Sequence, residues 1–163
     1  MPPTMLVDLH DVDLQAVRYT QPEIYAYLPH RYEFMLLDGI CHVDAAARTL
    51  VAYGNVRADG WWARGHVPGR PIFPGALMLE MAGQATALLA KLTYEPARDV
   101  FIAFGGVDDC KFRESVQPPA RLYLLSVLGE MRSRRITART QGVVDGRVIF
   151  EAGIAGLSLP ERD

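Results

Sequence analysis

The chain has 163 residues, half of them hydrophobic and 22% charged, which suits one globular domain and excludes a disordered or collagen-like chain. A net charge of −2 argues against nucleic acid as a bulk electrostatic partner. Two cysteines, Cys41 and Cys110, are too few for a disulfide framework and lack metal-ligand spacing.

The N-terminus, MPPTMLVDLHDVD, is acidic and has no basic stretch of the kind that opens a secretory signal. No apolar run approaches the roughly 18 residues of a membrane span, so a cytoplasmic protein is expected. Residues 1–20 read as an N-terminal extension of unknown role, and 21–163 as the domain proper. Thr20-Gln21-Pro22-Glu23 fits a capping box with Pro in the first turn, predicting a short helix to about Tyr27 that Pro29 stops. Met35–Val43 and Thr49–Val56 read as strands joined by a polar turn at Asp44–Arg48.

Residues 65–75, GHVPGRPIFPG, are too dense in Gly and Pro for any regular element, and predict a stiff loop. The next eighteen residues, 75–92, are mostly strong helix formers and would make a helix of about 27 Å. It is apolar nearly all round and therefore buried on most faces. Val100–Val107, Arg121–Met131, Arg134–Val144 and Arg147–Leu157 complete the strands. Asp145-Gly146 between the last two supplies the positive φ angles of a type I′ hairpin. The expectation is an α+β fold in which one antiparallel sheet of about six strands wraps a single long helix.

Three features of this pattern carry chemistry. Glu80 lies in the second turn of a helix that should be buried, where a carboxylate either finds a partner such as Arg31 or Arg70, or stays protonated. A carboxylic acid neutral near pH 7 is a proton donor. Gln84, one turn on, shares its face and can hydrogen-bond it. His66 stands in the Gly/Pro loop before the helix and is a candidate general base; His10, His30 and His42 read as ordinary surface or capping histidines. Pro74-Gly75 opens the helix, so the N–H groups of Gly75 and Ala76 can polarise a carbonyl oxygen as an oxyanion hole does.

Together LPHRYEFMLLDGI (28–40), GHVPGRPIFPGALMLEMAGQA (65–85) and FGGVDDCKFRESVQP (104–118) give the chain its resemblance to the 3-hydroxyacyl-(acyl-carrier-protein) dehydratases of bacterial fatty-acid synthesis, which have the hotdog fold. The resemblance spans roughly residues 22–158. It implies that His66 is the catalytic histidine, Glu80 the catalytic acid, Gly75 the oxyanion donor and Gln84 the support behind the carboxylate. It implies a hydro-lyase with no metal or redox cofactor, whose phosphopantetheine arm arrives on the acyl carrier protein. It also implies a homodimer with sites shared between chains, His66 of one facing Glu80 of the other, and raises assembly into a trimer of dimers. Glu rather than Asp at position 80 matches the plain dehydratase rather than the relative that also isomerises the double bond.

The chain departs from the family pattern in three places: Val67 after the histidine, Met81-Ala82-Gly83 in the helix, and Ala103 where many members carry a tunnel-gating tyrosine. Residues 111–147 hold a balance of +5 against −4 for residues 1–60. Lys111, Arg113, Arg132, Arg134 and Arg135 are accordingly candidates for docking an acidic carrier protein. Two competing readings remain, a hotdog acyl-thioesterase and a non-catalytic carrier-binding hotdog protein. The His66-x-Pro-Gly loop weighs against the first, and the retained acid–base pair against the second.

Overall fold

The computed structural model describes residues 3–159. Its centre is α3 (Gly75–Thr93), the long helix of the sequence reading, one residue longer at its end. Seven antiparallel strands curl around it in the order β1-β2-β3-β5-β6-β7-β4. They are β1 (Tyr19–Thr20), β2 (Gly39–Asp44), β3 (Thr49–Val56), β4 (Phe101–Phe112), β5 (Ala120–Met131), β6 (Arg135–Val144) and β7 (Arg147–Leu159). The seventh strand, beyond the six expected, is the two-residue β1, which pairs Tyr19 with Ile40 before α1 (Gln21–Tyr27) begins. The capping box forms: both the backbone N–H and the hydroxyl of Thr20 donate to Glu23 Oε2, at 2.8 and 2.7 Å.

Side chains of the central strands alternate between two buried clusters, one on each face of the sheet. Ile40, Leu50 and Leu124 point inward to α3, while their neighbours Cys41, Val51 and Leu125 point outward and are equally buried. A sheet buried on both faces needs a second cover. The N-terminal segment provides it, laying Met5, Leu6, Val7, Leu9, Val12 and Leu14 on the outer face. Gln141 fastens this strap by accepting from Leu6 N–H at 2.8 Å and donating to the Thr4 carbonyl at 3.0 Å. The buried Gln141 amide thus finds both an acceptor and a donor on the strap backbone.

Several boundaries differ from the sequence reading. Met35, Leu36 and Leu37 belong to no strand; they are apolar because they pack on the core after a 3-10 turn at Tyr32–Phe34, and pairing starts only at Gly39. β4 runs to Phe112 rather than Val107. The register slips between Asp108 and Lys111, where Asp109 takes φ 45°, so a bulge hides the continuation in a charged stretch. The supposed loop begins later than expected, because residues ahead of its first proline close one helical turn, α2 (Ala63–His66). The hairpin is as read: Asp145 and Gly146 take φ 49° and 73°.

Candidate active site

His66 ends α2, and its ring is fixed from the following loop. Its Nδ1 lies 2.9 Å from the Ile72 carbonyl oxygen. A carbonyl can only accept, so Nδ1 carries the hydrogen and the lone pair of the neutral ring sits on Nε2. The loop that supplies this carbonyl is itself anchored. Phe73 is buried, stacks edge-on against Trp62 with centroids 5.2 Å apart, and donates its N–H to Val116 at 2.8 Å. A base poised on Nε2 is what proton abstraction needs. The histidine is solvent-exposed in the single chain.

Glu80 occupies the inner face of α3, with 26% of its side chain exposed. The cation expected beside it, Arg31 or Arg70, is not its partner. Arg31 instead donates to the carbonyls of Leu28 and His30, at 2.9 and 2.7 Å, and so stiffens the turn after α1. That turn delivers His30, whose Nε2 lies 3.2 Å from Glu80 Oε1. Gln84 donates to the same oxygen at 2.9 Å and to the Phe34 carbonyl at 2.9 Å. The hydrogen bond from His30 holds the Glu80 carboxyl below its ordinary pKa, opposed by burial and helped by Gln84. The raised pKa of an unpartnered buried acid is therefore not what the single chain shows.

His30 is the residue the sequence reading set aside. Nothing local marks it, since its meaning depends on a contact fifty residues away. Leu28-Pro29-His30-Arg31 opens one of the three blocks that carry the family resemblance, which assigns His30 no role.

Glu80, Gln84 and His30 line a cavity of about 100 Å³ whose far wall is Phe101–Phe104 of β4 and Ala155–Gly156 of β7. Ala103 lies on that wall, where the tunnel gate was expected. His66 and Gly75 do not line it, so this cavity holds the glutamate without the histidine. The flank of Gly75 is less open than its missing side chain suggests. A Cβ there would stand 3.0 Å from the Phe112 ring. Ala76 beside it is exposed.

The basic candidates do not form one patch. Lys111 pairs in register with Glu151 of β7, and Arg113 ion-pairs Glu151 at 2.7 Å. Arg135 is in register with Leu157, six residues further along the same strand, or about 20 Å. Arg132 and Arg134 belong to that second group, in the β5–β6 turn, and Arg132 ion-pairs Glu130. Only this group lies at the cavity's end of β7. Among the described residues no three His, Cys, Asp or Glu side chains gather as metal ligands would, and no helix is long and apolar enough to cross a membrane.

A sheet wrapped on one long helix, with an oriented imidazole before that helix and a braced carboxyl on it, defines a hotdog-fold protein equipped for acid–base chemistry. The FabA-like domain matches residues 28–153. Curated relatives are named 3-hydroxyacyl-(acyl-carrier-protein) dehydratase FabZ. The one from Mannheimia succiniciproducens is 41% identical over 80% of this chain and 86% of its own. The one from Chlamydia pneumoniae is 37% identical over 82% and 88%. The chain belongs to this FabA-like dehydratase family. Among solved structures it is similar to the dehydratase heterocomplex ApeI:P of Xenorhabdus doucetiae, with TM-score 0.72 and 15% identity, covering 85% of this chain and 91% of that one. A thioesterase from Pseudomonas aeruginosa shares the fold at TM-score 0.66 and 13% identity, over 90% and 100%.

Proposed function

We propose that this protein is a hydro-lyase that converts 3-hydroxyacyl thioesters on acyl carrier protein to trans-2-enoyl thioesters and water, within fatty-acid or related acyl-chain synthesis. The observation that carries the reading is the Nδ1–Ile72 hydrogen bond, which leaves His66 Nε2 as a base. Nε2 takes the proton α to the thioester carbonyl. The Gly75 N–H, with that of Ala76 beside it at the helix N-terminus, stabilises the charge that develops on the carbonyl oxygen. Glu80 of the partner subunit gives its proton to the β-hydroxyl. The C–O bond breaks, the C=C bond forms and water leaves. His66 ends protonated and Glu80 ionised, and solvent exchange resets both. Protons move and no electrons are transferred, so the step asks for no cofactor beyond the pantetheine arm of the substrate.

The acid must carry a proton, whereas His30 favours its ionised form. Closing the site with acyl chain and partner subunit strengthens desolvation, which acts in the raising direction. A homodimer also accounts for β4. This edge strand leaves Phe101, Phe104, Val107 and Phe112 each at least 37% exposed, an apolar edge that natural sheets cover. Pairing β4 edge to edge would bring the exposed His66 of one chain toward the cavity of the other.

His66→Ala and Glu80→Gln should each lower kcat by at least about 10²-fold with the fold retained, read by mass spectrometry of 3-hydroxyacyl-carrier substrates. Near wild-type turnover in either removes its role, and free acid in place of an enoyl product would mark a thioesterase. For docking, the turn group is favoured over Lys111 and Arg113 because it lies beside the cavity. Reversing Arg134 and Arg135 to Glu should raise KM about tenfold for carrier-bound substrates and leave pantetheine thioesters unchanged. Lys111→Glu should leave KM unchanged for both kinds of substrate.

A further inference from the structure

We propose that His30 is a positioning residue for the acid: with Gln84 it saturates Glu80 Oε1, so that the transferable proton resides on Oε2. The inference rests on Glu80 being the general acid and deepens that reading. It starts from the two donors that converge on one oxygen, His30 Nε2 at 3.2 Å and Gln84 Nε2 at 2.9 Å. A carboxyl oxygen offers two acceptor sites, and both are taken. A carboxyl group protonated in this setting must carry its hydrogen on the other oxygen.

Each donor is held in its role by what lies behind it. Leu37 N–H donates to the Tyr25 hydroxyl at 2.9 Å, and that hydroxyl donates to Gln84 Oε1 at 2.6 Å. With its oxygen so occupied, Gln84 can present only its NH₂ to Glu80. His30 is held by Arg31, which grips the carbonyls on both sides of Pro29, and by the Tyr25 ring edge-on at 6.4 Å. His30 Nδ1 is buried and has no hydrogen-bond partner among the described residues. The hydrogen of the ring belongs on Nε2, where Glu80 Oε1 accepts it, and not on Nδ1, where an N–H would be stranded in a buried site. His30 is thus a fixed donor to Oε1. Without it Oε1 regains a free acceptor site, and the carboxyl can hold its proton on the oxygen turned away from the substrate.

Because the glutamine amide nitrogen lies at about the reach of histidine Nε2, His30→Gln keeps a donor, while His30→Phe keeps the bulk and loses it. In steady-state dehydration of a 3-hydroxyacyl thioester, His30→Phe should lower kcat about 10–100-fold with KM within about twofold, and His30→Gln should restore kcat to within about threefold of wild type. In single-turnover assays at high enzyme concentration, His30→Phe added to Glu80→Gln should cost nothing further, because His30 acts through that carboxyl. Equal losses in the Gln and Phe variants, or a further loss in the double variant, would overturn the proposal. Should the Phe variant fail to fold, ¹⁵N NMR of wild-type His30 still decides, since a ring found protonated on Nδ1 and bare on Nε2 overturns it. A wild type that dehydrates, with Glu80→Gln dead and His30→Phe fully active, defeats this inference alone. A wild type that does not dehydrate defeats the functional reading beneath it.

Discussion

Ala103 shows how much a single side chain can decide. It faces a cavity of only about 100 Å³, between Glu80 and the β7 wall, so a phenol ring at this position would take up much of the space. Ala103→Tyr should therefore lower kcat/KM for the longest acyl chains by about tenfold and spare the shortest, since each methylene denied a pocket is worth about 1–3 kcal/mol. Competition between substrates of graded length, followed by mass spectrometry, measures this, and an unchanged preference would show that the gate lies elsewhere. The position was legible in the sequence, as were Glu80 and Gln84, because helical spacing puts those two on one face without reference to anything distant. His30 was not. Its pairing with Glu80 is settled by how the turn after α1 meets the second turn of α3, and a sequence shows only that a histidine follows a proline. The electrostatics of Glu80 were misread for the same reason, as its partner is an imidazole that tertiary structure delivers.

Among elements, those with local causes were read nearly to the residue: β3, the capping box of α1 and the Asp145-Gly146 hairpin each rest on neighbours within a few positions. β4 was read five residues short, because as an exposed edge it shows no clean alternation and its bulge falls among Asp108, Asp109 and Lys111. The strap at residues 3–18 was invisible, since what it covers, Cys41, Val51, Leu125, Val143 and Val148, is spread over five strands. Deleting residues 1–15 should uncover that face while leaving α3 and its site alone, because the sheet lies between them. Burial of the strap's side chains is largely offset by the ordering of its backbone, so the expected net loss is on the order of 2 kcal/mol, or roughly 4–8 °C in Tm. Calorimetry together with kcat on the truncated chain tests this. A loss of kcat at unchanged Tm would mean that the strap serves the site. Cys41 gives a second probe. Burial pushes its thiol up to about 11, so alkylation near neutral pH should be slow in the full chain and faster once the strap is gone.

For the molecule as a whole, the proposed sharing of sites makes an arithmetic prediction. His66→Ala and Glu80→Gln chains are each inactive alone, yet a mixed dimer of the two holds one site lacking both groups and one lacking neither. Random pairing at equal amounts gives half mixed dimers, each with one sound site of two, so about a quarter of wild-type activity should return. No recovery, with native mass spectrometry confirming the mixed species, would mean that each chain completes its own site.

Four residues, Phe101–Phe104, belong both to the wall of the cavity and to the edge strand β4. In an edge-paired dimer, substrate preference and subunit affinity are then inherited together. A lineage that reshapes this segment to admit a bulkier acyl group also alters the seam that assembles the enzyme. Selection for a new substrate would have to proceed through substitutions that repair the seam, or through residues of α3 and β7 that touch the acyl chain and not the edge.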